Sequence, residues 1–251
     1  PQCKHKQRSL ILNKSGSVWC AWCGYHINLN DNKDDEPRIS SLWEKGDNVD
    51  VNDERLFSLN IDPECIKKAD GRWSITLLDT GWSPALMFPC FNQQNKIVDV
   101  IAYPWINHAF SNPVGMVGGK PMPWGFSSLQ KEPHLNEIVF TKTIIEAIAL
   151  KSIGVSNVTS LPPELNIEHP ETSSWQFFSL IENELNDINK IVFAFSDSIK
   201  SNNLEDEIAR RLGKERCYKT EFPVESGDNF CAVSRWINDN SKKSLHLVKN
   251  A

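Results

Sequence analysis

Two polar turns in the C-terminal half of the chain combine residue types that can bind an anion or a metal ion. Thr141-Lys142-Thr143 follows the apolar run Ile138–Phe140, and Ser196-Asp197-Ser198 follows the apolar run Ile191–Phe195. Each turn leads into a segment with helical periodicity, the position at which α/β proteins place their ligands. Magnesium prefers several clustered oxygen ligands, usually including carboxylates. These turns offer one aspartate, one lysine and several hydroxyls, so we expect no catalytic magnesium here.

Cysteines near the N-terminus are the second set of residues with metal-binding chemistry. Cys20 and Cys23 form a CxxC pair at the end of a predicted hairpin, and Cys3 precedes the hairpin. Two thiolates on a tight turn suit a tetrahedral metal, so we expect zinc at Cys3, Cys20 and Cys23. The fourth ligand is either His5 or a residue upstream of Pro1, and four thiolates could instead hold an iron–sulfur cluster. The alternative is a small hairpin with free thiols.

Basic residues form two clusters, although the formal net charge of the chain is −5. Single-stranded DNA is bound where cations meet phosphates and aromatic rings stack on bases, so both clusters are candidate DNA-binding surfaces. The alternatives are a solvated surface for each cluster and core packing of the hairpin for the tryptophans. The first cluster comprises Lys4, Lys6, Arg8 and Lys14 beside Trp19 and Trp22, and the second comprises Arg210, Arg211, Lys214, Arg216 and Lys219.

The elements that must position these residues are clearest after residue 136. Apolar runs alternate there with segments of helical periodicity, which predicts a parallel sheet with flanking helices. The predicted strands are 138–141, 157–160, 191–195 and 216–220. The predicted helices cover 144–153, 172–186, the segment from an Asn203 cap to Gly213, and 229–238. Earlier in the chain, Met87–Phe91 and Ile97–Tyr103 predict a strand pair joined by a turn at 92–95.

Composition sets the limits of this organisation. The 251 residues are 40% hydrophobic and 24% charged, as in ordinary globular proteins. No apolar run approaches the roughly 20 residues that a membrane span requires. Seven irregularly placed cysteines favour a reducing compartment. We expect a hairpin at 1–27, an acidic linker at 28–55, a mixed α/β subdomain at 56–135 and the parallel α/β domain at 136–251.

The chain resembles the primase half of phage-type primase-helicases. The resemblance is carried by Glu137–Leu150, Ser160–Glu164, Ile191–Cys217 and the Gly118–Phe126 turn, and it covers nearly the whole chain. It implies a zinc-ribbon-like hairpin, an RNA-polymerase-like N-terminal subdomain over 56–135 and a Toprim-like sheet over 136–251. Within the family, the chain is most similar to the N-terminal region of the animal mitochondrial replicative helicase.

The chain departs from the family pattern at the catalytic positions. Active Toprim primases have a Glu and a Gly after the first strand, where this chain has Lys142 and Thr143. The resemblance aligns the other degenerate positions with Ile144, Glu146, Ser196, Ser198, Ser201 and, loosely, Asp228. We therefore expect no primer synthesis. One alternative is an active primase with displaced metal ligands drawn from Glu146, Asp197 and Asp228, and another is a structural module that tethers subunits or docks a polymerase.

The resemblance also implies properties of a longer protein. No Walker A motif is present, so ATP would bind in a helicase half beyond Ala251. The whole protein would be a hexameric or heptameric 5′-to-3′ DNA helicase of the mitochondrial nucleoid, imported by a transit peptide that this chain does not contain. The present chain would bind single-stranded DNA and support the helicase half.

Overall fold

The computed structural model describes residues 10–12, 17–20, 26–28, 43–78, 81–115, 120–129, 136–163, 165, 175, 177–195, 199–220 and 247–249. Within these ranges the strands form three sheets. The first is a small antiparallel sheet, the second is a larger antiparallel sheet, and the third is a mostly parallel sheet with helices.

The small sheet contains the hairpin predicted near the N-terminus. Strands β1 (Leu10–Leu12) and β2 (Ser17–Cys20) are antiparallel, with Leu10 opposite Cys20. A third strand, β3 (His26–Asn28), pairs with β2 in antiparallel orientation. This strand was not predicted. Cys20 is therefore the last residue of a strand that is followed by a return strand.

The larger antiparallel sheet occupies the middle of the chain. It contains β4 (Asp47–Asn48), β5 (Arg72–Leu78), β6 (Gly81–Phe91), β7 (Ile97–Ile106), β8 (Ala109–Phe110) and β9 (Val114–Gly115). The predicted strand pair is confirmed as β6 and β7, but β6 begins earlier than predicted, at Gly81, and β7 ends later, at Ile106. Three short helices accompany the sheet: α1 (Glu54–Phe57), α2 (Pro63–Lys68) and α3 (Phe126–Leu129).

Part of the predicted acidic linker belongs to this sheet. Asp47 and Asn48 of β4 pair with Trp73 and Arg72 of β5, and Val49 is buried. The polar composition of the segment hid this pairing, because an edge strand of two residues carries no periodic signal.

The parallel sheet confirms the α/β pattern after residue 136. Its strands are β10 (Glu137–Thr141), β11 (Val158–Ser160), β12 (Lys190–Phe193), β13 (Cys217–Thr220) and β14 (Leu247–Lys249), in the order β11-β10-β12-β13-β14. The first four are parallel and β14 is antiparallel to β13. The helices between strands are α4 (Ile144–Ser152), α5 (Phe177–Asn186) and α6 (Ile199–Leu212). None of the described helices has the length and apolar character that crossing a membrane requires.

Several predicted helix and strand ends need correction. The predicted N-cap at Asn203 is wrong, because α6 begins at Ile199 and Asn203 lies inside the helix. Asn203 is exposed, and the low helix propensity of asparagine at such a position costs only a few tenths of a kcal/mol. The helix expected from residue 172 is described only from Phe177. Trp175 precedes this helix, is buried and stacks on the ring of Phe178. Arg216 ends a 3₁₀ turn rather than starting β13. The helix predicted at 229–238 lies outside the described residues.

One large hydrophobic core joins the two larger sheets. It extends from Phe88 and Tyr103 of the antiparallel sheet to Phe140 and Phe193 of the parallel sheet, with α4 between them. A smaller apolar cluster (Ala85, Met87, Val100 and Ala102) lies on the other face of β6 and β7. The two sheets therefore form one packed unit, and the start of α4 lies where they meet.

Candidate functional site

The carboxyl ends of the parallel strands bring polar residues to one edge of the sheet. The amide of Leu161 donates to the carbonyl of Thr141 (2.9 Å), and the amide of Ala194 donates to the carbonyl of Phe140 (2.8 Å). Ser160, the register partner of Thr141, lies beside the 141–143 turn. The predicted site residues Ser196, Asp197 and Ser198, and also Asp228, lie outside the described residues.

This edge contains the topological switch point of the sheet. From β10 the chain passes through α4 to β11 on one side, and from β12 it passes through α6 to β13 on the other side. Right-handed crossovers place these two helices on opposite faces of the sheet. Ligands of open α/β sheets bind beyond the carboxyl ends of the strands at such a switch point.

A capping box holds the turn after β10. Thr143 is the N-cap of α4: its hydroxyl accepts from the amide of Glu146 (3.3 Å) and donates to Glu146 Oε2 (3.1 Å). The amide of Thr143 also donates to Glu146 Oε2 (3.0 Å). Thr141 Oγ1 donates to the carbonyl of Thr143 (2.8 Å). The T-x-x-E spacing at 143–146 is the sequence signature of this arrangement, so it could have been predicted.

Glu146 is the carboxylate of this turn, and it points into the protein. Its side chain is 1% exposed. Burial raises the pKa of the Glu146 carboxyl to about 7, although nearby Lys142 and the hydrogen bonds from Thr143 act in the opposite direction. Within the described residues, no three His, Cys, Asp or Glu side chains gather into a group that could hold a metal ion.

Tyr103 is a residue of this region that sequence reasoning missed. Its hydroxyl accepts a hydrogen bond from the amide of Ile144 (2.8 Å), so the antiparallel sheet caps the first turn of α4. Tyr103 is fully buried, and burial raises the pKa of its phenol above the usual value. The sequence contains no signal for this contact, because Tyr103 of the antiparallel sheet and Ile144 of α4 are 41 positions apart in the chain.

Ser160 and the segment before α3 complete the edge on the β11 side. Ser160 is 1% exposed, and its hydroxyl has no hydrogen-bond partner in the part of the chain that the structure describes. The carbonyl of Trp124 accepts from the Ser160 amide (3.1 Å) and from Thr159 Oγ1 (2.7 Å). Gly125 has a φ of +80°, and a Cβ there would lie 3.1 Å from the Val158 carbonyl oxygen. The segment at Trp124 and Gly125 therefore packs against the outer strand β11.

The second basic cluster is partly neutralised within the fold. Glu207 pairs with Arg210 (2.8 Å) and with Arg211 (2.8 Å), and the two arginines lower the pKa of its carboxyl to about 2. The Arg211 guanidinium also lies over the Trp175 ring, 4.6 Å from its centroid. Lys214 is exposed. Arg211 thus joins α6 to the aromatic residues at the start of α5.

Arg216 has a role inside the fold. Its guanidinium donates to the carbonyls of Leu212 (2.6 Å), Leu185 (2.6 Å) and Ile188 (2.8 Å). These carbonyls lie at or just beyond the C-terminal ends of α6 and α5, where helices have unsatisfied acceptors. The contacts account for Arg216 without a bound nucleic acid, so we do not include it in the DNA surface proposed below.

Most residues of the N-terminal candidate sites lie outside the described residues. Cys20 ends β2, whereas Cys3 and Cys23 lie outside the described residues, as do Lys4, Lys6, Arg8 and Lys14. The alternative zinc ligand His5 and the aromatic Trp22 lie outside them as well. Zinc and DNA binding by this segment remain predictions.

Two plant proteins are similar to the chain in sequence, and no family model matches it. The Twinkle homolog protein, chloroplastic/mitochondrial, of Arabidopsis thaliana is 26% identical over 137 residues, which are 51% of this chain and 18% of that protein. The primase homolog protein of the same plant is 31% identical over 124 residues, which are 46% of this chain and 36% of that protein. The matches thus span well under half the length of each relative.

Solved primase structures share the fold. The DnaG catalytic core superposes with a TM-score of 0.57 at 9% identity, covering 82% of this chain and 75% of that one. The Aquifex aeolicus primase, with its zinc-binding and RNA polymerase domains, gives 0.57 at 10% identity, covering 92% and 72%. A DnaG catalytic domain bound to single-stranded DNA gives 0.55 at 10% identity, covering 80% and 74%. The chain has the fold of a primase catalytic core.

Proposed function

We propose that this chain is a primase-like region without primase activity that binds single-stranded DNA beside a replicative helicase of the Twinkle type. The observation that carries the proposal is the turn after β10. Lys142 and Thr143 occupy the positions at which the family resemblance places the catalytic Glu and Gly. The carboxylate of Glu146, in the first turn of α4, is buried in the helix cap. An ammonium group at this turn disfavours a divalent cation there, because like charges repel.

DNA binding is proposed from the fold and from the distribution of basic residues. A primase catalytic domain of the same fold was solved with single-stranded DNA bound. We propose that DNA is bound by Lys4, Lys6, Arg8, Lys14 and Lys214. Arg210 and Arg211 are proposed to contribute less, because Glu207 partly neutralises both side chains.

The whole protein is proposed to unwind DNA during replication in the mitochondrion. The support is the similarity to the Twinkle homolog, whose name places it in chloroplasts or mitochondria. The match spans 18% of that relative, so a helicase half with its own ATP site would be a separate part of the protein. We propose a ring of six or seven subunits that moves 5′ to 3′.

A structural zinc ion is proposed at Cys3, Cys20 and Cys23. Cys20 at the end of β2 fits this proposal, because zinc knuckles place a CxxC pair on a tight turn after a strand. Metal analysis of a chain extended upstream of Pro1 tests it, and a protein with neither zinc nor iron would remove the site. Cys20→Ser and Cys23→Ser together should release the metal, whereas the buried Cys90→Ser should not.

Primer synthesis and DNA binding are the two assays that test the main proposal. The chain is incubated with single-stranded template, nucleotides and either magnesium or manganese, and we expect no templated oligonucleotides. Templated products would instead support an active primase with displaced ligands. DNA binding should weaken steeply with salt, because bound phosphates release counterions from basic side chains. A chain that does not bind DNA would support the structural module.

A further inference from the structure

The antiparallel sheet carries an exposed apolar row to which the proposed function assigns no role. This apolar row consists of Ile75 on β5, Pro84 on β6 and Trp105 on β7. We propose that bases of single-stranded DNA stack on the apolar row, with the Trp105 ring as the main contact. The phosphates of the strand contact basic side chains elsewhere on the chain. This inference rests on the proposed function, because it assigns a base-binding surface within DNA binding.

Strand pairing places the three side chains next to one another. Ile75 is opposite Pro84 in the β5–β6 pair, and residues directly opposite each other project from the same face of a sheet. Ser83 Oγ donates to the Trp105 carbonyl (2.9 Å), which holds β7 beside β6 at this level. The apolar row therefore crosses three adjacent strands.

Ring contacts place the apolar row on the face of the sheet that packs against the core. The Trp73 and Trp105 rings both contact the Phe110 ring, with centroid separations of 5.9 and 4.9 Å. Trp73 and Phe110 belong to the large hydrophobic core. Ile75 is two positions after Trp73 on β5, so its side chain points to the same face. The apolar row therefore continues the core face of the sheet.

The apolar row is open to solvent, whereas the residues before it are covered. Trp73 is 8% exposed, and the Arg55 guanidinium lies over its ring, 3.6 Å from the centroid. Ile75 is 57% exposed, Pro84 is exposed and Trp105 is half-buried. A ligand that covers these side chains removes apolar surface from water, and this removal stabilises the complex.

Nucleic acid bases fit the apolar row better than a protein partner does. A stable protein interface buries about 800 Å² on each partner, far more than three side chains can expose. A base presents a flat apolar face comparable in size with an indole ring, and proteins bind single strands by stacking bases on aromatic side chains. None of the three residues is charged, so the apolar row contacts bases rather than phosphates.

The apolar row also adjoins the contact between the two larger sheets. Tyr103 precedes Trp105 by two positions on β7, so the two side chains share a face and lie about 7 Å apart along the strand. The Tyr103 hydroxyl accepts from the amide of Ile144 at the start of α4. The apolar row therefore begins next to the residue that joins the antiparallel sheet to the candidate site.

The test measures binding of fluorescein-labelled oligo(dT) to the full chain over a series of salt concentrations. Trp105→Leu should weaken binding by about tenfold, the usual contribution of one stacked base. The slope of log K against log salt should stay unchanged, because that slope counts phosphate contacts. Trp105→Phe keeps an aromatic ring and should retain most of the affinity. Ile75→Ser, at a mostly exposed position, should weaken binding by a smaller factor, again without a change in slope.

Trp43→Leu is the matched control. Trp43 is also half-buried, but it packs on the apolar cluster of the opposite sheet face, and the Arg72 guanidinium lies over its ring, 3.9 Å from the centroid. This variant should leave the affinity for oligo(dT) unchanged. Its melting temperature, compared with that of Trp105→Leu, separates loss of stability from loss of stacking. Equal losses of affinity in the two variants would overturn the inference.

Tryptophan fluorescence identifies the stacked ring. Saturating oligo(dT) should quench the fluorescence of the wild-type chain, because a stacked base quenches an indole. The quenching should be smaller in Trp105→Phe and unchanged in Trp43→Phe. Equal quenching in the wild-type chain and both variants would contradict stacking on Trp105.

The remaining outcomes separate this inference from the proposed function. If the wild-type chain binds oligo(dT) and both Trp105→Leu and Ile75→Ser bind it equally well, the inference is overturned while the proposed function survives. A slope lowered by about 0.7 or more in Trp105→Leu would mean that a phosphate contact is lost, against base stacking. If the variants instead change the sedimentation coefficient of the free chain, the apolar row joins protein copies and the inference is wrong. No oligo(dT) binding by the wild-type chain would overturn both.

Discussion

Replacing Glu146 with glutamine tests whether burial of this carboxylate opposes folding. The carboxyl is 1% exposed, and burial raises its pKa from 4.5 to about 7. A raised folded pKa means that the folded chain binds the proton more tightly than the unfolded chain. The stabilisation from Glu146 is therefore complete below the unfolded pKa and is lost as the pH rises through about 7. A shift of this size corresponds to about 3 kcal/mol in the free energy of unfolding.

Glutamine keeps the capping geometry but does not titrate. Its amide oxygen can accept from the Thr143 amide, as glutamine does in other capping boxes. We expect the variant to match the wild-type chain near pH 4.5 and to be more stable by up to about 3 kcal/mol near pH 8. Urea unfolding followed by tryptophan fluorescence across this range measures the difference.

Glu207→Gln provides a control of opposite sign. Arg210 and Arg211 lower the pKa of the Glu207 carboxyl to about 2, so its stabilisation is present above the unfolded pKa and is lost as the pH falls toward 2. This variant should be less stable than the wild-type chain at neutral pH. If Glu146→Gln is also destabilised near pH 8, attraction to Lys142 outweighs burial and the reasoning is refuted. If its stability follows the wild-type pH profile, the pKa is not raised.

Three substitutions test tertiary contacts of the fold. Tyr103→Phe leaves the first amide of α4 without its acceptor and should lower the free energy of unfolding by about 1–3 kcal/mol in urea titrations; no change would mean that water replaces the hydroxyl. Arg216→Met removes donors to three carbonyls and should cost about 2 kcal/mol, whereas Arg210→Met, at a fully exposed position, should cost clearly less; equal losses would contradict the internal role of Arg216. Gly125→Ala should lower the free energy of unfolding by about 1–2 kcal/mol because of the positive φ at this position, and by more because the new Cβ would crowd the Val158 carbonyl. Gly154→Ala is the control: its φ is +96° and no atom lies within 4 Å of the new Cβ, so it should show the backbone cost alone.

Local patterns of the sequence determined much of the fold. The strand–helix alternation after residue 136 predicted β10 to β13 and the intervening helices, because apolar runs and helical periodicity reflect burial within each element. The hairpins β1–β2 and β6–β7 were predicted for the same reason. The order of polar residues after β10 was sufficient to identify the turn as a candidate site. The starts of α6 and β13 were not predicted, since they depend on packing and on the contacts of Arg216.

Tertiary structure alone decided how the residues of the site are used. The sequence places Glu146 after the first strand, but the fold determines that its carboxylate is buried in a helix cap. The contact of Tyr103 with α4 depends on segments far apart in the chain, as does the Ser160 hydroxyl, which has no hydrogen-bond partner among the residues that the structure describes. Periodicity reports which face of an element is buried, whereas the partner across a packed interface is chosen by the arrangement of whole sheets.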